Sequence, residues 1–180
     1  MELDREHIFE SKHHPIRLVA TEFDEPHPGR TLWRYQFLVN GILQERPSLN
    51  YKFSGLHPDL TSFEMEDESG QFIFIPSEDS QVYEVAQDQY HPLPPLGETG
   101  NNQFVGNIFS QEKLVVIRKR SIQVVSLIDF QDQKVIFSKG QYHMISAKFE
   151  QGSLFVHFKD LGDYQEYKKK LDFEKKEFVG

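Results

Sequence analysis

The spacing of short apolar runs constrains this chain more than any other feature. Over residues 103–140 four runs follow one another, at 103–109, 113–118, 121–130 and 134–138, with turn-type residues between them. That is the pattern of one four-stranded antiparallel meander. It reads again at 16–24, 30–39, 42–46 and 50–53, at 59–67, 71–75, 81–86 and 90–93, and at 141–150, 153–158, 164–173 and 176–179. First strands begin near residues 16, 59, 103 and 142, a period of about 40 to 45 residues.

The turns repeat with the strands. Asn40-Gly41 supplies two adjacent residues tolerant of positive φ, as a two-residue type I′ hairpin requires. Asp160-Leu161-Gly162-Asp163 holds the same place in the last unit. First and second strands are linked through Asp24-Glu25, Asp67-Glu68 and Glu150-Gln151-Gly152, whereas Ser110-Gln111-Glu112 has no glycine. Second strands are the most apolar, as in Phe72-Ile73-Phe74-Ile75, Leu114-Val115-Val116-Ile117 and Leu154-Phe155-Val156, which predicts burial on both faces. Third strands alternate more, which predicts a place nearer the rim.

This period and strand order are those of a propeller blade. The expectation is a single all-β domain over 1–180, with repeats at about 14–53, 57–93, 102–140 and 141–179. It would form a four-bladed β-propeller, the alternatives being a closed antiparallel β-barrel or a β-sandwich. The Gly-His and Trp-Asp dipeptides of WD repeats are absent, so the likeness is to a period and not to a family motif. Residues 164–177 are the one stretch that could instead form a helix, and Pro94-Pro95 opens a loop between the second and third units.

Sixteen Phe and seven Tyr against three Met suit pleated surfaces more than helices. With no Cys, disulfides, thiolate metal sites and cysteine nucleophiles are excluded. The start of the chain lacks the basic-then-apolar pattern of a secretory leader, and no apolar run approaches the roughly 20 residues of a membrane helix, so a cytoplasmic place and no membrane partner are expected. Net charge is −8, and its distribution is uneven. No Lys or Arg falls between Lys52 and Lys113, while Arg118, Lys119, Arg120 and 168–170 give the second half a basic bias. The acidic total disfavours nucleic acid and favours a basic protein partner.

Candidate site residues follow from these patterns. Glu64, Glu66 and Glu68 recur at period two, which on a strand would set them on one face, and Glu78 and Asp79 add charge nearby. Trp33, flanked by Arg34 and Tyr35, is a candidate interface anchor. His14, His57 and His143 head three first strands, where imidazoles around a common mouth could hold a metal ion. Four His-Pro pairs point the other way, to histidine simply accompanying turns. Neither a Gly-x-Ser-x-Gly elbow nor a phosphate-binding glycine loop occurs, and 66–70 lacks EF-hand spacing.

The functional expectation is a non-enzymatic protein-interaction module, without cofactor, that meets a basic partner through its acidic face and loops, as an inhibitor or immunity-type protein would. The alternatives are a barrel carrying an apolar small ligand and a metal-dependent enzyme using the three histidines. A homodimer is compatible with the repeat pattern, since terminal units of an open array would be left uncovered.

Overall fold

The structure is a computed structural model, and it describes residues 6–27, 30–45, 50–51, 64–76, 81–93, 104–110, 112–138 and 141–180. It is all-β: four antiparallel sheets follow one another along the chain, one to each sequence repeat. The first holds β1 (Glu6–Glu10), β2 (Ile16–His27), β3 (Arg30–Val39), β4 (Ile42–Leu43) and β5 (Asn50–Tyr51). The second holds β6 (Phe72–Ile75), β7 (Gln81–Glu84) and β8 (Gln89–Pro92). β9 (Phe104–Ser110), β10 (Lys113–Arg118), β11 (Ser121–Ser126) and β12 (Gln133–Ser138) make the third. β13 (Tyr142–Glu150), β14 (Ser153–Asp160), β15 (Glu166–Asp172) and β16 (Glu177–Val179) make the fourth. Among the described residues no strand pairs from one sheet to the next, so the alternative of one closed barrel does not hold.

The turns form as their residues dictate. Asn40 and Gly41 take φ of 53° and 74°, the paired positive values of a type I′ hairpin, between β3 and β4. Gln151 and Gly152 do the same between β13 and β14. Glu112 stands where a glycine was missing and adopts φ of 60° itself.

Several elements depart from the expected pattern. β1 is an additional strand along β2, with Ile8 opposite Val19. β4 and β5 both lie on β3, so the third and fourth strands expected in the first repeat are one interrupted edge. In the second repeat the first strand is reduced, among the described residues, to a bridge between Glu66 and Ile73. β11 ends at Ser126 and not at residue 130, because the Ser126 hydroxyl accepts the amides of Ile128 and Asp129 and turns the chain. The helical candidate at 164–177 is strand β15 and its turn. Tyr164 has φ of 60°, and Asp172 accepts the amides of Glu174 and Lys175.

Burial also corrects the expected gradient. β10 is buried on both faces from Leu114 to Ile117, as is β6 from Ile73 to Ile75, but β11 is equally buried. β10 and β11 are the two inner strands of one meander, flanked on each side. β14 instead alternates, with Leu154, Val156 and Phe158 inward and Phe155 and His157 half-buried.

The chain divides into two compact units, Met1–Thr61 with Met65–Leu96, and Ser62–Glu64 with Gly97–Gly180. The first unit joins its two sheets through an aromatic cluster. Phe37 meets Tyr83 edge-on at 5.3 Å and Tyr90 at 6.1 Å. In the second unit Ile108, Val115, Ile117, Ile122 and Val124 of the third sheet pack on Met144, Leu154, Val156, Phe158 and Leu171 of the fourth. Phe158 stacks on Phe178 at 4.3 Å. No helix among the described residues is long and apolar enough to cross a membrane.

Candidate functional site

The densest polar construction in the first unit is a clasp between the turn after β1 and the segment before β6. Its centre is Glu66, whose side chain is only 6% exposed. Burying a carboxylate is costly unless donors replace water. Here the Ser11 hydroxyl donates to Oε1 at 2.8 Å, the Lys12 amide donates to Oε2 at 2.9 Å, and His13 Nδ1 lies 2.7 Å from Oε1. Desolvation, the strongest single influence, pushes the Glu66 carboxyl up, and the Lys12 amide, His13 ring and Ser11 hydroxyl together bring it below its ordinary value.

The surrounding chain is built to hold this arrangement. Ser11 Oγ accepts the amides of His13 and His14 at 3.1 and 3.0 Å, which winds the turn tightly. Gly70 has φ of 75° and lies against the imidazole, where an added Cβ would fall 2.5 Å from His13 Cγ. Only glycine meets both conditions. His14 Nε2 bonds the Gly70 carbonyl at 3.0 Å, fastening the same two segments a second time. Asp67 closes the neighbouring turn, its Oδ1 accepting the Phe72 amide at 2.8 Å and its Oδ2 the Ser69 hydroxyl.

The sequence-derived candidates fall in different places. Glu66 is the clasp and turns inward. Glu68 is exposed in the turn that follows. Glu64 belongs to the second unit, where its carboxylate accepts the Phe109 amide at 2.7 Å and its carbonyl accepts Asn107 Nδ2 at 2.7 Å. Glu78, Asp79 and His57 lie outside the described residues, as does the side chain of Trp33, whose backbone pairs with Glu22 and Tyr51 in the first sheet. His14 is engaged in the clasp and His143 is the second residue of β13 in the second unit. Among the described residues no three His, Asp or Glu side chains gather around a possible metal position.

Chemically, the clasp is an acid–imidazole pair. A buried carboxylate fixes Nδ1 of a ring that is 41% exposed, which is how a general base is oriented. Ser11 is bonded to the carboxylate and not to the outer nitrogen of His13, so it does not complete a nucleophilic triad. The sequence pointed to His14 and missed Ser11, His13 and Gly70. Ser11 and His13 meet Glu66 and Gly70 across more than fifty positions, and no local pattern announces that pairing.

No family model matches the chain, and no curated protein does. Among solved structures, the N-terminal domain of Nup159 aligns at TM-score 0.37 and 14% identity, over 57% of this chain and 32% of that one. The extracellular domain of the one-component system BT4673 from B. thetaiotaomicron aligns at TM-score 0.43 and 11% identity, over 92% of this chain and 30% of that one. The chain thus spans about a third of the length of each. Likenesses this distant say nothing of what the chain binds or does.

Proposed function

We propose that the chain is a non-enzymatic protein-interaction module that receives a basic segment of a partner on the outer face of its first sheet. One observation carries this reading. β1 is the edge strand of that sheet, and Glu6, Ile8 and Glu10 share its outward face, all exposed, Ile8 by 49%. An apolar side chain between two carboxylates suits a partner segment that alternates basic and apolar residues. Glu10 holds Arg17 at 3.1 Å between two well exposed side chains, an ion pair weak enough for a partner's cation to replace. Glu68 adds exposed negative charge to the same unit, consistent with steering by an acidic chain.

The test is capture from a lysate of the source organism, followed by association kinetics with what is captured. Changing Glu6 and Glu10 to Lys should slow association about tenfold at low ionic strength and flatten its salt dependence. An on-rate unchanged by the double reversal would overturn the assignment of this face.

A second reading is favoured by the exposed ring of His13 held on buried Glu66. It makes the clasp a general base and the protein a hydrolytic enzyme. A panel of activated esters, turned over by the native chain and not by His13→Gln, would select it; equal turnover by both would dismiss it.

A further inference from the structure

The second unit contains a convergence of positive groups that neither the clasp nor the acidic edge involves. His143 stands directly opposite Lys159 in the β13–β14 ladder. The Met144 amide donates to the Lys119 carbonyl at 2.7 Å, which sets the tight turn between β10 and β11 against the start of β13. That turn carries Lys119 and Arg120. His143, Lys119, Arg120 and Lys159 are all partly buried. His143 Nε2 is sealed from solvent and has no hydrogen-bond partner among the described residues.

Glu150 and Glu166, on this face of the fourth sheet, hold other partners. Glu150 holds Lys148 at 2.6 Å and Lys168 at 2.9 Å. Glu166, directly across from Lys159, bonds His157 at 3.0 Å. The next rung, Tyr142 with Asp160, turns to the other face, where Asp160 takes Gln141 and the Gly162 amide. Among the described residues, the contact of the Lys159 ammonium is with the Tyr164 ring, 5.9 Å away. Arg118 and Arg120 keep interactions of their own, which leaves Lys119, His143 and Lys159 to close on a ligand.

A cluster of like charges with an unsatisfied imidazole nitrogen is unfavourable unless an anion offsets it. We infer that Lys119, His143 and Lys159, in the field of Arg120, form a binding site for a phosphate-class oxyanion. The arrangement leaves a signature in the imidazole. Desolvation and the charges of Lys119, Arg120 and Lys159 hold the His143 imidazole below its ordinary value, and a bound oxyanion would reverse the charge contribution.

The experiment follows the His143 ring by NMR through a pH titration of the full chain, with inorganic phosphate or with sodium chloride at matched ionic strength. Phosphate should raise the His143 pKa by about one unit, and chloride should move it far less. In the variant Lys119→Ala with Lys159→Ala, the pKa without phosphate should rise toward the ordinary value and the phosphate response should vanish. Lys168→Ala, on the same sheet but paired with Glu150, should keep the response. O-phosphoserine in place of phosphate separates two sources of the group: tighter binding indicates a phosphorylated side chain, equal binding a free ion. An equal response to phosphate and chloride, or equal loss in Lys168→Ala, would overturn the site.

Discussion

Each unit has an ionisable side chain that solvent reaches poorly, Glu66 in the first and His143 in the second, and the two are accommodated in opposite ways. Around Glu66 the first unit supplies a hydroxyl, an amide and an imidazole, so the charged form is favoured despite desolvation. Around His143 the second unit supplies further cations and, among the described residues, no partner for Nε2, so the charged form is resisted twice over. A carboxylate with its donors in place needs nothing more from outside and serves the fold. An imidazole whose Nε2 has no partner among the described residues, set among charges of one sign, is completed by something that arrives. Burial alone does not separate structural from binding groups; the accounting of partners does.

The largest effect is expected at Gly70. Gly70→Ala combines a left-handed backbone with a Cβ driven into the His13 ring at 2.5 Å. It should destabilise the first unit by about 2–4 kcal/mol, the sum of conformational strain and overpacking. Gly152 has the same φ, 76°, with open space around it, so Gly152→Ala should cost only about 1 kcal/mol. Urea midpoints of the two variants measure the difference. Equal losses would mean that the clasp does not depend on that close approach.

The repeat was legible because it rests on local chemistry. Asn40-Gly41 announces its turn, and Leu114-Val115-Val116-Ile117 announces a strand covered on both faces. Phe155 shows where composition misleads. Leu154-Phe155-Val156 reads as a strand buried twice, yet Phe155 faces outward with the Lys168 ammonium 5.6 Å from its ring, so a long cationic side chain provides the cover. The geometry of the acidic strip was hidden for a different reason. Period two places Glu64, Glu66 and Glu68 on one face only where the strand is regular, and among the described residues 64–68 Glu66 alone is bridged. His143 was visible as a histidine but not as part of a cationic site. Its pairing with Lys159 depends on a register shift between Met144 and Ser146, which apolar spacing does not encode.

Glu66→Gln gives the next largest effect, because it keeps the volume and removes the charge. Weakening the charge-assisted bonds to Ser11, Lys12 and His13 should cost about 1–3 kcal/mol near neutral pH. The sign of the pH dependence follows from the folded carboxyl lying below its ordinary value of 4.5. Its stabilisation is present above that value and is lost as pH falls through the folded pKa, where the carboxylate takes up a proton. Denaturation curves from pH 7 to pH 3 should therefore converge for native and variant protein at the acid end. A constant gap down to pH 3 would mean that the charge of Glu66 contributes nothing.

His143→Gln is the smallest change and tests the second unit. The folded imidazole lies below its ordinary value of 6.5, so the unfolded chain binds the proton more readily and stability declines as pH falls below 6.5 toward the folded pKa. Above that window both forms of the group are neutral, and the substitution should alter stability by no more than about 0.5 kcal/mol. Below it, the variant should lose less stability than the native chain, since it has no imidazole for the unfolded state to protonate. Added phosphate should narrow that difference, by letting the folded imidazole accept its proton beside a negative ligand. If native and variant curves stay parallel between pH 7 and pH 5, the positive field of Lys119, Arg120 and Lys159 does not act on His143, and the contrast with Glu66 disappears.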